Sequence, residues 1–179
     1  LVDNLVPGSI PGPFAADTGK AAFDTDYGPE DKVDLTETFA DGSVAWKARP
    51  DLEDGKLHSF DQKIGAVYLY RTIHASEPRD LSLGFGSDDA LKVWLNGKLV
   101  LDQNVQRGAA PDQNQIGVTL QPGQNELLVK VVNYGGAFAF HHTARNAGGE
   151  LPRNIAFQLF ASASTPDEAQ QKLLRNVFR

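Results

Sequence analysis

The chain has 179 residues, 41% of them hydrophobic and 22% charged, which is enough for one globular domain with a substantial core. A net charge of -6 without a basic stripe argues against a protein that tracks nucleic-acid phosphates. The absence of cysteine excludes disulfides, thiolate zinc sites and cysteine nucleophiles.

No apolar run approaches the ~18–20 residues that a membrane-spanning helix needs, so no membrane insertion is expected. There is no signal-peptide pattern and no initiator Met, so a processed or excised piece of a longer protein is expected. Residues 1–13 are rich in Pro and Gly and read as irregular, with one edge strand near Leu5 and Val6. The acidic segment 23–35 has the carboxylate density of a calcium loop but not the EF-hand spacing, and reads as a solvated loop. Short strands are predicted at 44–47 and 57–60. The segment 66–75 is a clearer strand: Val67, Leu69, Arg71 and Ile73 alternate with Tyr68, Tyr70, Thr72 and His74. Bulk on both faces predicts a central strand covered on both sides.

Leu81, Leu83 and Phe85 alternate with Ser82 and Gly84 into Gly86-Ser87-Asp88-Asp89. Next come a strand through Val93, Trp94 and Leu95, an Asn96-Gly97 hairpin turn and a return strand. A long polar loop, 104–114, carries Arg107, Gly108, Pro111 and Asp112. Strands at 116–120 and 126–133 flank a Pro122-Gly123 turn of type II. After Gly135-Gly136, residues 137–141 read as another strand. About eight to ten short strands at regular spacing imply a β-sandwich or jelly roll. The end changes character. Leu151, Ile155 and Leu159 favour a short helix over 151–160. Thr165-Pro166-Asp167-Glu168 is a capping box that opens a second helix, with Leu173, Leu174, Val177 and Phe178 on its apolar stripe.

Catalytic and metal motifs are scarce. Of the four histidines, His141 and His142 are adjacent, and on a strand they point to opposite sides. No H-x-H, H-x-x-x-H, G-x-S-x-G, phosphate loop or C-x-x-C occurs. Asp88 and Asp89 are sequence neighbours and make a poor acid–nucleophile pair for glycoside hydrolysis. The chain therefore reads as non-enzymatic, and what remains is a binding constellation. Sugar recognition combines carboxylates or amides for hydroxyls, a basic donor and an aromatic face. Asp89, Arg107, Asn133, Tyr134 and His141 can supply these from loops at one end of the sandwich, with Trp94 as the stacking ring. Trp94 has a competing reading as a packed residue covering the sheet. Asp88 reads equally as an acceptor of N–H bonds in its own turn or as a ligand for sugar or calcium. Arg107 alone reads as a surface arginine.

The Gly86-Ser87-Asp88-Asp89 turn with Lys92-Val93-Trp94-Leu95-Asn96-Gly97 resembles the core motif of galactose-binding-like sandwiches and of protective-antigen-type adhesin lectin domains. Further stretches carry the likeness: Gly12-Pro13-Phe14, Phe23-Asp24-Thr25, Gly28-Pro29-Glu30, Val33-Asp34-Leu35, Tyr68-Leu69-Tyr70-Arg71-Thr72-Ile73, Arg107-Gly108-Ala109-Ala110-Pro111-Asp112-Gln113 and Gly123-Gln124-Asn125-Glu126-Leu127 through Asn133. Together they resemble the carbohydrate-binding-like module of large planctomycetal proteins that also carry a cytochrome c-like domain. The resemblance implies a jelly-roll sandwich over 1–148 and a helical extension over 149–179 that leads toward a following domain. It implies polysaccharide or oligosaccharide as ligand, neighbouring domains of the parent protein as partners, and a periplasmic or extracellular location. In such adhesin lectins a paired Asp-Asp turn coordinates calcium, and Asp88 and Asp89 match those positions. The haem signature C-x-x-C-H is absent, so no haem is expected in this piece. The expected function is a non-catalytic carbohydrate-binding module, binding through 87–89 and 104–112. The alternative is a structural or interdomain-docking domain that uses the C-terminal helix stripe.

Overall fold

The computed structural model describes residues 9–11, 19–39, 42, 44–61 and 64–147. In chain order the elements are β1 (Ser9–Pro11), α1 (Gly19–Asp24), β2 (Thr38–Phe39), β3 (Val44–Ala48), β4 (Leu57–Ser59), β5 (Gly65–Ala75), β6 (Arg79–Asp88), β7 (Ala90–Leu95), β8 (Lys98–Gln103), β9 (Asn114–Leu120), β10 (Gly123–Asn133) and β11 (Ala139–Asn146). Among the described residues they form two antiparallel sheets. One has the order β2-β3-β1-β5-β10-β7-β8, the other β4-β11-β6-β9. The fold is a β-sandwich, as the period-2 alternation implies. The strand expected near Leu5 and Val6, the helices expected over 151–160 and from 166, and the 148/149 boundary lie outside the described residues.

The two sheets meet through alternate residues of their strands. Val67, Leu69, Ile73, Leu91, Val93, Leu127, Val129 and Val131 of the larger sheet pack on Leu81, Leu83, Phe85 and Phe140 of the smaller. The long strand β5 pairs with β10 along its whole length, from Gly65↔Asn133 to Ala75↔Gly123. Its other face is also covered. Tyr68, Tyr70, Trp94 and Leu128 pack there with Val44 and with the partly buried Tyr27, Val33, Phe39 and Trp46. The bulk on both faces of 66–75 is thus used twice, once between the sheets and once beneath the segment around residues 23–39. The turns follow their sequence signals. Asn96 and Gly97 have φ of 52° and 74°, as a type I′ hairpin turn requires, and Gly123 has φ of 94°.

The acidic segment is more than a solvated loop. Asp24, Asp26, Asp31 and Asp34 are exposed, but Glu30 turns inward to Lys130 in the middle of β10. Lys130 is fully buried. Its Nζ donates to the carbonyl oxygens of Phe23 (3.2 Å) and Thr25 (2.6 Å) and to Glu30 Oε1 (2.6 Å). The Tyr68 hydroxyl donates to the same Glu30 oxygen at 2.7 Å. All three ammonium protons therefore have acceptors, which is what permits a lysine to be buried. Burial pushes the Lys130 pKa down, and the Glu30 carboxylate opposes the shift. The pair fastens the segment across the outer face of the larger sheet as a strap.

Candidate functional site

Three crossings between the sheets meet at one end of the sandwich. β6 passes to β7 at Asp88 and Asp89, β8 to β9 through 104–113, and β10 to β11 through 134–138. The Asp88–Asp89 peptide bond is cis. Asp89 is 3% exposed, and its carboxylate ties the other two crossings to its own. One oxygen accepts the Arg107 backbone N–H and the other the Tyr134 backbone N–H, both at 2.8 Å. The Asp89 N–H donates to the Val132 carbonyl at 2.9 Å, and the Ser87 hydroxyl donates to the Asp89 carbonyl at 2.6 Å. A charged acceptor with two backbone donors suits a buried carboxylate. The sequence offered Asp88 as an acceptor of N–H bonds in its own turn; in the structure it is Asp89 that accepts N–H bonds, and from two other crossings.

Asp88 is different. It is half-buried, and its carboxylate has no hydrogen-bond partner among the described residues. Burial and then the charge of Asp89 push its pKa up. Arg107 is not a free surface arginine. Its Nη2 donates to Asn114 Oδ1 (2.5 Å) and to the Ser87 hydroxyl (3.0 Å), and its Nε reaches the Ser87 carbonyl at 3.4 Å. Partial burial pushes its pKa down. Nη1 keeps donor capacity with no partner among the described residues. The Tyr134 hydroxyl donates to Asn104 Oδ1, joining the third crossing to the second. Burial, then Asp89 and Asp24, push the Tyr134 pKa up. Asn133 is buried and accepts the Gly135 N–H at 2.9 Å, so it shapes the turn below Tyr134.

The loop after Arg107 lies on the outer face of the smaller sheet. Gly84 and Gly86 permit this. A Cβ at Gly86 would overlap the Ala110 carbonyl, and one at Gly84 would overlap Asp112 and the Thr143 hydroxyl. Gln113 accepts the Ser87 N–H at 3.1 Å and donates to the Gly108 carbonyl at 2.8 Å. Asp112 accepts from Thr143 (2.6 Å) and Arg145 (2.9 Å), and the Thr143 bond leads in holding its pKa low. His141 lies beneath this loop, 2% exposed, with Nδ1 3.9 Å from Asp112. Its neighbour His142 points the other way, into the core, stacked on Phe85 at 4.8 Å.

The structure thus brings Asp88, Asp89, Arg107, Asn133 and Tyr134 to one corner. His141 sits close by but covered. Trp94 is elsewhere, five residues along β7 from Asp89, roughly 16 Å at the rise of a strand. It packs on the outer face of the larger sheet. Gln113 and Asn114 are corner residues outside the segments 87–89 and 104–112 that the sequence reading gave to the ligand, while Ser87 and Asn104 lie within them but were not named as ligand-binding side chains. The signal for them was their density of amides and hydroxyls in the two segments flanking Asp88 and Arg107.

As a calcium site, the corner offers the free carboxylate of Asp88 and the two Asp89 oxygens, each already accepting an N–H. Ca²⁺ takes six to eight oxygens. Among the described residues no group of three or more His, Cys, Asp or Glu is placed to hold a metal ion. The side chains here do not by themselves complete a calcium shell.

No protein-family model matches the chain, and no curated protein does. Among solved structures it is similar to the PA14 domain of the antifreeze protein MpAFP, at 15% identity and a TM-score of 0.40. That match covers 51% of this chain and 50% of the other. The PA14 sugar-binding domain from an RTX adhesin matches at 21% identity and a TM-score of 0.39, over 47% of this chain and 48% of the other. A β-glucosidase from Kluyveromyces marxianus matches at 21% identity and a TM-score of 0.39, over 52% of this chain but 13% of the enzyme. The matched region spans half of the antifreeze-protein domain and a small part of the glucosidase.

Proposed function

We propose that this domain is a non-catalytic carbohydrate-binding module that takes polysaccharide at the crossover corner. It would direct a larger exported multidomain protein to its glycan, in the periplasm or outside the cell. The observation that carries this reading is Asp88: a half-buried carboxylate with no partner among the described residues, next to an Asp89 wholly engaged in fixing the surrounding loops. A free acceptor at the same corner as an arginine with a spare donor nitrogen and a tyrosine is a set that can recognise sugar hydroxyls. Asp89 and Asn133 shape the corner, while Asp88, Arg107 and Tyr134 face the ligand. Calcium enters the reading as an ion held at Asp88 and Asp89 only if water and sugar hydroxyls supply the remaining oxygens. Glycan-microarray binding and affinity electrophoresis, each with added Ca²⁺ and with EDTA, test both parts. Binding that is lost in Asp88→Ala is expected, and EDTA decides whether calcium takes part. Failure to retain any glycan under either condition overturns the reading.

A further inference from the structure

A second cleft lies on the outer face of the larger sheet, at the opposite end of β7 from Asp89. It has a volume of about 300 Å³, and its floor is Trp94, Tyr70 and Leu128. Glu30, Asp31 and Lys32 of the strap form one wall, and Asn96, Gly97 and Glu126 of the hairpin end form the other. Both walls are braced. Lys130 and Tyr68 hold Glu30 through Oε1 alone, leaving Oε2 without a partner among the described residues. On the other side the Asn96 amide donates to Asn125 at 2.9 Å and accepts the Glu126 N–H at 2.8 Å. Burial first, then the Glu126 carboxylate nearby, push the Tyr70 pKa up to about 12.

We infer that this cleft is a second glycan-binding site, separate from the crossover corner and independent of the reading given there. The chemistry selects a neutral saccharide. Trp94 and Tyr70, each 8% exposed, leave a narrow apolar strip at the floor against which the C–H edge of a ring can rest. Glu30 Oε2 and Glu126 accept hydroxyl protons from opposite walls, and Lys32 donates at the rim. An anionic sugar would meet Glu30, Asp31 and Glu126 together, which disfavours it. The volume is that of a small-ligand cleft. A free carboxylate oxygen, oriented by a buried lysine and a tyrosine, is the acceptor that such a cleft requires. A module with two sites at opposite ends of one strand can bridge two chains, or grip one chain twice.

The chain has two tryptophans, and Trp46 does not line the cleft, so Trp46→Phe leaves Trp94 as the sole fluorescent reporter. The test uses that chain with Asp88→Ala added to disable the corner, titrated with cello-, xylo-, malto- and mannohexaose. The expected result is a saturable change in Trp94 emission with at least one hexaose, weakened about tenfold by Glu30→Gln. Glu30→Gln also touches the strap, so Asp31→Ala with Lys32→Ala is the second variant, made on exposed side chains. It is expected to weaken the same signal while circular dichroism stays unchanged. The inference is overturned if no hexaose changes Trp94 emission, or if the change is indifferent to both sets of wall substitutions. A signal seen only when Asp88 is intact assigns the ligand to the corner and also overturns it.

Discussion

At the residue scale, two adjacent aspartates with the same chemistry have opposite roles. Asp89 satisfies two backbone donors from two different crossings, and Asp88 satisfies none among the described residues. Asp89→Asn would replace one acceptor by an amide N–H facing a backbone N–H. That leaves a buried donor unpaired, with an expected cost of about 2–3 kcal/mol in urea unfolding. Asp88→Asn is expected to change stability by less than about 0.5 kcal/mol while weakening glycan binding. Equal losses of stability from the two substitutions would contradict the division of roles. The sequence singled out the pair but not which member turns inward. Alternation along a strand separates neighbours onto opposite faces, but these two sit where the chain leaves one sheet for the other, and the alternation stops there. Lys130 was not singled out in the sequence. A lone lysine in Leu-Leu-Val-Lys-Val-Val, on a strand that the structure covers on both faces, needs a buried acceptor. The acceptor is Glu30, 100 positions earlier, and no local pattern joins the two.

At the scale of elements, the loop 104–113 depends on what the strand beneath it lacks. Its Ala110 carbonyl occupies the space where a side chain at Gly86 would stand. Gly86→Ala is therefore expected to lift the loop and cost about 1–3 kcal/mol, with loss of binding at the corner. Gly117 in β9 is the control: a Cβ there meets nothing within 4 Å. Gly117→Ala is expected to be neutral or to stabilise by up to about 1 kcal/mol. Thermal unfolding of the two variants side by side checks the pair, and a Gly86→Ala protein as stable as Gly117→Ala would refute the close packing. The strands themselves were largely legible, because alternation and turn residues are local signals. Asn96-Gly97 and Pro122-Gly123 fall in the turns they imply. The strap was not legible as a strap. Its exposed aspartates are what a solvated loop would show, and the contact that fixes it is long-range. Trp94 was half legible. Its place opposite Val93 and Leu95 puts it outside the main core, but the cover it meets comes from residues 27–46.

At the scale of the whole molecule, the two sheets are held together by a core that contains a titratable ring. His142 lies in β11 of the smaller sheet, between Phe85 and Phe140, and lines a narrow cavity of about 40 Å³ against Leu69, Leu127 and Val129 of the larger sheet. Its Nδ1 is 3.0 Å from the Gly84 carbonyl and donates to it, while Nε2 is buried without a partner among the described residues. Protonation would add a charge and a donor with no acceptor. Burial accordingly pulls the pKa down from 6.5 to about 4, with Arg71 and His141 adding to the shift and Asp54 and the Gly84 bond opposing it. The unfolded chain therefore binds the proton between these values and the folded chain does not. Stability is full above the unfolded value, falls as pH drops through that window, and levels off below the folded value. From about pH 7 to about pH 4.5 the His142 contribution is a loss of about 2 kcal/mol. Asp112 and Asp51, whose pKa values are lowered, contribute losses at more acidic pH, so the two effects separate along the pH axis. In His142→Phe the ring is replaced without a titrating group, and urea unfolding midpoints are expected to stay nearly level across this window while the parent chain declines. Parallel decline of both proteins across this window would remove His142 as the source of the acid sensitivity and from the account of how the sheets stay closed.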